Sequence, residues 1–201
     1  MEAVISEIVA LEWQEFQKVR DVSGRAPCQD DRRSFEINRK SQFMAWSEPA
    51  ARSYLHDLKV AGLRKRNLLM EKYARMMDWT HHSEYKRIRQ SLPGVSPEAR
   101  ALVEKIVPLQ LAWQKEFALK YPKLALRGRQ LQNDGRGNNS EASFEVYLRG
   151  ELLTYSAPTL TLYLNHLENL KKQGVNMSVL STGHMVKLSG YDSLEQAEKQ
   201  A

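Results

Sequence analysis

An internal repeat at a separation of 109 residues constrains this chain more than any other feature of its sequence. Residues 34–47 and 143–156 both begin Ser-Phe-Glu and align without a gap. Identities in this register pair Ser34, Phe35, Glu36, Ser47, Pro49, Tyr54, Leu55, Leu58 and Asn67 with Ser143, Phe144, Glu145, Ser156, Pro158, Tyr163, Leu164, Leu167 and Asn176. A chain of 201 residues can build one good core from two such units. The sequence therefore predicts a single compact domain, residues 1–201, of two tandem, pseudo-two-fold-related repeats, 1–95 and 96–201.

The apolar residues recur at helical spacing. Ile5, Val9, Trp13 and Phe16 lie on one stripe of a helix, and Trp13 matches Trp113 at a separation of 100 residues. No alternating run of β-branched residues is present, and no Asn-Gly hairpin separates two such runs. We therefore expect an all-α fold with about five helices in each repeat.

Several residues predict where these helices begin and end. Ser96 stands before a proline and a glutamate, which is typical of a helix start, and Asn67 and Asn176 are expected to cap the fourth helix of each repeat. Gly62 and Gly174 are expected to terminate the preceding helices. Pro108 lies inside a predicted helix and should kink or split it.

Composition limits the possible locations and partners. No apolar run approaches the ~18 residues of a membrane span, and the acidic N-terminal segment lacks the basic region and apolar core of a signal peptide. The single cysteine, Cys28, excludes an intramolecular disulfide and a cysteine-rich metal site. We therefore expect a cytoplasmic protein without membrane attachment, a monomer or a weak homo-oligomer.

The central helix of each repeat carries a polar residue on an aromatic stripe. At ~100° per residue, one stripe contains Phe35, Arg39, Gln42 and Trp46, and the other contains Phe144, Leu148, Glu151 and Tyr155. The repeat places Gln42 and Glu151 at the same inward position. A buried carboxylate needs a partner or a raised pKa. Glu151 is therefore either half of a structural ion pair or a ligand-binding or catalytic carboxylate.

The loops before the central helices carry a second polar pattern. Arg25 precedes Asp30 in one copy, and Arg129 precedes Asp134 in the other. Arginines near helix N-termini favour an anionic ligand, although the aspartates can equally cap the following helix. Cys28, in the first loop, is either a reactive thiol or a small, buried structural residue.

The fourth helix of the first repeat is polar where its counterpart is not. Glu71, Tyr73 and Arg75 lie on it, and Glu71 and Arg75 are spaced for an ion pair. No histidine pair has metal-ligand spacing, and the chain has no Walker loop, no Gly-x-Gly-x-x-Gly and no Gly-x-Ser-x-Gly. We therefore predict no metal site and no cofactor.

These motifs resemble those of an uncharacterised microbial family, domain of unknown function 4125. The resemblance spans nearly the whole chain and involves Cys28-Gln29-Asp30-Asp31, Ser41-Gln42-Phe43, Glu71-Lys72-Tyr73-Ala74-Arg75-Met76-Met77, Tyr147-Leu148-Arg149-Gly150-Glu151-Leu152 and Thr154-Tyr155-Ser156. It implies no activity. The polar residues that match the motifs of the family are Gln29, Asp30, Gln42, Glu71, Arg75, Arg149 and Glu151.

The resulting hypothesis is a small-molecule-binding protein, and an enzyme, with a polar pocket between the repeats for an anionic or amino-acid-like metabolite. Glu151 would be the acid or base, with Glu71 and Tyr73 as further catalytic candidates. The predicted ligand-binding residues are Arg25, Gln29, Asp30, Gln42, Arg75, Arg129, Arg149 and Tyr155. Arg25, Arg129 and Arg149 would bind the negative group.

Two alternatives remain open. Basic clusters at Arg64-Lys65-Arg66 and at Lys86-Arg87-Ile88-Arg89 suggest a nucleic-acid-binding module, although no recognised nucleic-acid motif accompanies them. The polar residues would be purely structural in a non-catalytic scaffold or companion subunit.

Overall fold

The computed structural model describes residues 1–20, 24, 26–132 and 142–201, and these residues form α-helices and no strand. The helices of the first half are α1 (Glu2–Phe16), α2 (Arg32–Met44), α3 (Glu48–Leu63), α4 (Leu68–Thr80) and α5 (His82–Ile88), with a 3-10 turn at Pro27–Asp30 before α2. Those of the second half are α6 (Pro97–Lys120), α7 (Pro122–Leu126), α8 (Phe144–Leu152), α9 (Ala157–Lys172), α10 (Met177–Leu188) and α11 (Leu194–Gln200). The predicted helical class is confirmed for this part of the chain.

Helix starts lie where the capping residues predict them. The side chain of Ser96 accepts a hydrogen bond from the backbone N–H of Ala99, and that of Asn67 accepts one from Met70. Asn176 caps α10 in the same way. Each cap satisfies a backbone donor that the first helical turn leaves free, so local sequence fixes these boundaries.

One prediction about helix ends is wrong, and one about a helix interior is wrong in part. Of the kink or split predicted at Pro108, the split does not occur, because α6 runs without interruption from Pro97 to Lys120. Gly62 does not terminate α3: the positive φ, 55°, occurs at Lys65, whereas Gly174 has φ 68° after α9 as predicted. Lys65 thus takes a left-handed conformation that glycine adopts without steric cost.

Helices from the two halves cross. In the first half α1 packs against α2, α3 and α4, and in the second half α6 packs against α8, α9 and α10. Between the halves, α3 lies on α9, α2 on α10 and α4 on α8. Residues of both halves share one hydrophobic cluster, in which Phe43, Tyr54, Ile106 and Leu167 are almost fully buried.

Gly150 allows the close crossing of α4 and α8. A Cβ atom at this position would lie 2.6 Å from Cγ of Met76 and 3.0 Å from the backbone oxygen of Lys72. Only a residue without a side chain fits there. The contact brings Lys72 on α4 next to the inward face of α8.

Candidate functional site

A cavity of about 590 Å³ opens between the crossed helices. Side chains from α1, α2, α4, α6, α8 and α10 line it, together with tyrosines from α3, α9 and the turn before α9. Its wall combines aromatic rings with four charged side chains that solvent barely reaches. These charged residues are Glu12, Arg39, Lys72 and Glu151.

Arg39 joins the two carboxylates. Its Nε and Nη2 atoms donate to the two oxygens of Glu12, at 2.6 and 2.5 Å, in a bidentate pair. Its Nη2 also lies 3.0 Å from Oε1 of Glu151. The Glu12 side chain is fully buried and that of Arg39 is 11% exposed, so the arrangement is held away from bulk water. Its bidentate geometry is that of the strongest ionic hydrogen bonds in proteins.

The Glu151 side chain forms hydrogen bonds with four residues: Arg39, Gln42, Lys72 and Tyr155. Lys72 Nζ lies 2.6 Å from its Oε2 atom. Its Oε1 atom accepts hydrogen bonds from the hydroxyl of Tyr155 at 2.7 Å and from the amide of Gln42 at 3.0 Å. Gln42 and Glu151, which the repeat places at the same inward position, thus form a direct hydrogen bond between the two halves.

Partners keep the Glu151 carboxylate ionised. Burial alone would raise its pKa, but the charges of Arg39 and Lys72 and the hydrogen bonds from Lys72 and Tyr155 hold the pKa well below its usual range. Of the two possibilities for a buried carboxylate, the structure shows the partner and not the raised pKa. Its role as an acid or base stays a prediction, and the lowered pKa disfavours that role near neutral pH.

Lys72 differs from the other charges because its pKa shifts toward neutrality. Burial lowers the pKa of its ammonium group, and the nearby Arg39 charge lowers it further, against the opposing effect of Glu151. Its Nζ also lies 3.4 Å from the centre of the Tyr147 ring, within cation–π range. A buried lysine of this kind can exchange its proton more readily than a surface lysine.

Two buried tyrosines, one in each half, have partners that differ in charge. Tyr54 donates to Oε1 of Glu12 at 2.7 Å, whereas Tyr163 accepts a hydrogen bond from the amide of Gln110. Both tyrosines are buried. The charge on this wall therefore lies at the α1 side of the cavity and not at the α6 side.

Five of the predicted site residues line the cavity: Gln42, Tyr73, Arg129, Glu151 and Tyr155. Arg129 is exposed, and its guanidinium carbon lies 4.7 Å from the centre of the Tyr147 ring. Arg129 therefore adds a positive charge near the opening. Cys28 is also exposed and lines the cavity, so the interpretation of this cysteine as a buried residue is wrong, while its reactivity stays a prediction.

The loop between α1 and α2 is bonded to the end of α1, but not all of its predicted ligand-binding residues line the cavity. Gln29 is 2% exposed, and its amide donates to the backbone oxygens of Phe16 and Val19 at 2.6 and 3.1 Å. It therefore ties the loop to the end of α1. Asp30 is exposed and does not line the cavity, and Arg25 lies outside the described residues.

The structure places Glu71 and Arg149 in ion pairs elsewhere. Both oxygens of Glu71 accept hydrogen bonds from Arg66 at 2.7 Å. Arg149 pairs with Glu104 at 2.6 Å and Glu145 at 2.8 Å. The expectation that Glu71 and Arg149 share the pocket of Glu151 is therefore wrong, because each faces a partner on another surface. Arg75 lies on a second cavity, described below.

Three residues of the cavity wall were not predicted from the sequence: Glu12, Lys72 and Tyr147. Arg39 was predicted on the inward stripe of its helix but was given no role. The signal for Glu12 was available, since it occupies the apolar stripe of α1 between Ile8 and Phe16, where a charge is unexpected. No comparable local signal identifies Lys72, which depends on the crossing of α4 with α8.

Two further features are absent from the described residues. No group of three or more histidine, cysteine, aspartate or glutamate residues there is placed to hold a metal ion. No helix in the same part of the chain is long and apolar enough to cross a membrane.

Comparison with known proteins gives a family and no activity. The sequence model of a family described as "Protein of unknown function (DUF4125)" matches residues 2–199, nearly the whole chain. No curated protein and no solved structure matches the chain. The resemblance seen in the sequence motifs is thus confirmed.

Proposed function

Because the chain belongs to the family DUF4125, whose description assigns no activity, we propose its function from the cavity itself. The protein binds a small zwitterionic, amino-acid-like metabolite in the cavity between its two halves and acts on it as an enzyme. The observation that carries this proposal is the group of four buried charges on the wall of a cavity large enough for such a ligand.

The energetic cost of this group supports a role beyond folding. Replacing a buried ion pair by well-packed apolar residues is often neutral or stabilising, by ~1–4 kcal/mol. Here two carboxylates and two cations are buried together, and Glu12 is fully inaccessible. A chain that needed only a stable core would have little reason to keep them.

The arrangement of charge favours a ligand with both signs. Arg39 and Lys72 can bind a carboxylate, and Glu151 can bind an ammonium group, while the inaccessible Glu12 holds Arg39 in place. The formal charges of the four sum to zero, so a ligand carrying one charge of each sign leaves the buried charge balanced. Aromatic rings of Phe16, Phe35, Tyr73 and Tyr147 on the same wall would cover the apolar part of the ligand.

Lys72 is the group we propose for proton transfer. Its pKa is lowered, first by burial, whereas the pKa of Glu151 is held low and keeps that carboxylate charged. A general base works best with a pKa near the operating pH. In this proposal Glu151 orients the amine of Lys72 and stabilises its protonated form.

We also propose that the halves are related by a pseudo-two-fold axis within one domain. The pairs of packed helices support this, because α2 lies on α10 and α8 lies on α4, which exchanges the two halves. The contact of Tyr54 with Glu12 has its counterpart in that of Tyr163 with Gln110. Since only one of these contacts is charged, the proposal gives the domain a single functional site and not two.

The capping asparagines refine the register of the proposed repeat. Asn67 donates to the backbone oxygen of Glu15, and Asn176 donates to that of Trp113. In the proposal these residues are equivalent, which matches α1 with α6 at a separation of 98 residues from Glu15 to Trp113. The identity of Trp13 with Trp113 would then not reflect equivalent positions.

The test combines native mass spectrometry with thermal-shift measurements against amino acids, dicarboxylates and amines. A Ser181→Phe variant would fill the cavity from α10. Its control is Ser189→Phe, at an exposed position directly after the end of α10. Each serine donates one hydrogen bond to a backbone oxygen, so both substitutions lose the same kind of interaction. We expect amino acids to stabilise the wild type and Ser189→Phe but not Ser181→Phe.

Other outcomes would support a different class of protein. No stabilisation by any compound, together with gained stability when Glu12, Arg39, Lys72 and Glu151 are all replaced by apolar residues, would indicate a scaffold. Salt-dependent retention on heparin that is lost when Lys86, Arg87 and Arg89 are neutralised would indicate the nucleic-acid module. The scaffold result would contradict the proposal directly. The heparin result would contradict it if, in addition, no compound stabilises the protein.

A further inference from the structure

A second, smaller cavity of about 280 Å³ is lined by Arg75 of α4. It is bordered by the end of α3, the loop before α6 and the turn before α9. Its lining includes the arginines Arg64, Arg66 and Arg75 and a single carboxylate, that of Asp57. Positive charge therefore predominates on its wall.

Arg75 is the unusual member of this group. The residue as a whole is only 7% exposed. Its Nη2 atom donates to the backbone oxygen of Pro93 at 2.7 Å, while its Nε atom is buried without a hydrogen-bond partner. Among the described residues, no carboxylate lies within the 4 Å limit of an ion pair with it. A buried cation without a counter-ion is costly to fold.

The nearby carboxylates are already bound to other groups. Both oxygens of Glu71 are taken by Arg66, as described above. Oδ2 of Asp57 accepts hydrogen bonds from the backbone N–H of Ser156 and the hydroxyl of Thr159, at 3.0 and 2.7 Å, at the start of α9. Neither carboxylate forms an ion pair with Arg75 in this structure.

A helix N-terminus adds to the positive character of this cavity. Gly94, Val95 and Ser96 line it immediately before α6, a helix of 24 residues. The start of a long helix carries partial positive charge and favours anions. Arg75 and the start of α6 are thus two independent features that favour the same kind of ligand.

We propose that this cavity binds the oxyanion group, a carboxylate or a phosphate, of a small molecule, with Arg75 as its principal ligand. The guanidinium presents donors in a planar fork that matches either group. Glu71 acts on Arg75 only through its charge and forms its ion pair with Arg66, so the anion would supply a direct partner for the guanidinium of Arg75. The proposal does not depend on the function assigned to the larger cavity, because no residue of the Glu12–Arg39–Lys72–Glu151 group lines this one.

The experiment is isothermal titration of the full chain with sodium phosphate and, separately, with sodium malonate at constant ionic strength. Arg75→Met keeps the apolar stem and removes the charge, and Arg89→Met is the same change at an exposed position. We expect Arg75→Met to weaken binding of the preferred anion about tenfold or more, as the loss of a charged hydrogen bond implies. Arg89→Met should bind like the wild type.

The two anions distinguish the sources of the ligand group. Tighter binding of phosphate would indicate a phosphorylated compound, and tighter binding of malonate would indicate a carboxylate. Thermal unfolding of Arg75→Met in the absence of anions should show a stability equal to or above that of the wild type, because a buried unpaired charge is removed. Equal anion affinity in the wild type and Arg75→Met, or no anion binding to the wild type, would overturn the proposal.

The same titrations separate this proposal from the function of the larger cavity. Ser181→Phe, which fills that cavity, should bind phosphate or malonate as the wild type does. Loss of amino-acid binding in Ser181→Phe with retained anion binding would support both proposals. Anion binding by a wild type that binds no amino acid would leave this proposal intact while contradicting the first.

Discussion

Neutralising Glu151 removes the counter-ion of Lys72 and tests the central ionic network. In Glu151→Gln, Arg39 keeps its bidentate pair with Glu12. Lys72 loses its carboxylate at 2.6 Å, and no other carboxylate of the described residues forms an ion pair with its ammonium group. We therefore expect the cost to come from one orphaned, buried amine and not from the whole network.

The expected loss can be bounded in two ways. Removing one partner of a buried ion pair costs ~3–5 kcal/mol. An upper limit comes from Lys72 itself, because the amine can escape its burial by losing a proton. Starting from an ordinary pKa of 10.5, deprotonation at pH 7 costs about 5 kcal/mol at ~1.4 kcal/mol per pH unit. The two estimates agree, and for a chain of this size they correspond to a fall in Tm of about 6–20 °C.

Urea unfolding followed by circular dichroism would measure this loss. Adding Lys72→Met to Glu151→Gln removes the orphaned amine and should restore most of the lost stability. Glu145→Gln on the same helix is the control, since its partner Arg149 is partly exposed and keeps a second carboxylate. That change should cost less than about 1 kcal/mol. A loss below ~1 kcal/mol in Glu151→Gln, or no recovery in the double variant, would refute the reasoning.

Acidification should remove the stability that the Glu151 charge contributes. The pKa of Glu151 is lowered in the folded protein, so its charge contributes stability that is fully present above the unfolded-state value near 4.5. That contribution is lost as the pH falls toward the folded-state pKa. The stability difference between wild type and Glu151→Gln should therefore be constant from about pH 6 to 7 and narrow below about pH 4.5, by up to ~1.4 kcal/mol per pH unit. A difference that widened with acidification would contradict the assignment.

Two paired comparisons test the helix crossing and the tyrosine contacts. Gly150→Ala should destabilise the protein by ~1–3 kcal/mol through overpacking, whereas Gly183→Ala, with room for a Cβ atom, should be neutral or stabilising by up to ~1 kcal/mol in thermal unfolding. Equal effects at the two glycines would argue against the close crossing of α4 and α8. Tyr54→Phe should cost ~1.5–3 kcal/mol because its hydroxyl donates to the charged Glu12, and Tyr163→Phe, which loses a neutral hydrogen bond, should cost only ~0.5–1.5 kcal/mol. The reverse order in urea unfolding would show that the buried charge on Glu12 is stabilised by other groups.

Much of the local structure followed from sequence alone. Helical periodicity predicted the elements, and the capping residues Ser96, Asn67 and Asn176 predicted their starts, because a cap acts on backbone groups within three residues. The repeat also brought Gln42 and Glu151 to matching inward positions, and the two residues do meet. These inferences need only the geometry of one helix or the comparison of two.

The partners of Glu151 were decided by the tertiary structure. Periodicity tells which residues share a face of a helix, but it does not tell which other helix that face meets. Lys72 and Arg39 reach Glu151 from 79 and 112 residues away in sequence, because α4 crosses α8 and α2 packs against α1 and α10. The same crossing separates Lys72 from Arg75, which lie within one turn of α4 and yet line different cavities. The sequence by itself determined the helices and one inward polar pair. Burial and the crossing of helices determined which charges meet and which buried arginine forms no ion pair among the described residues.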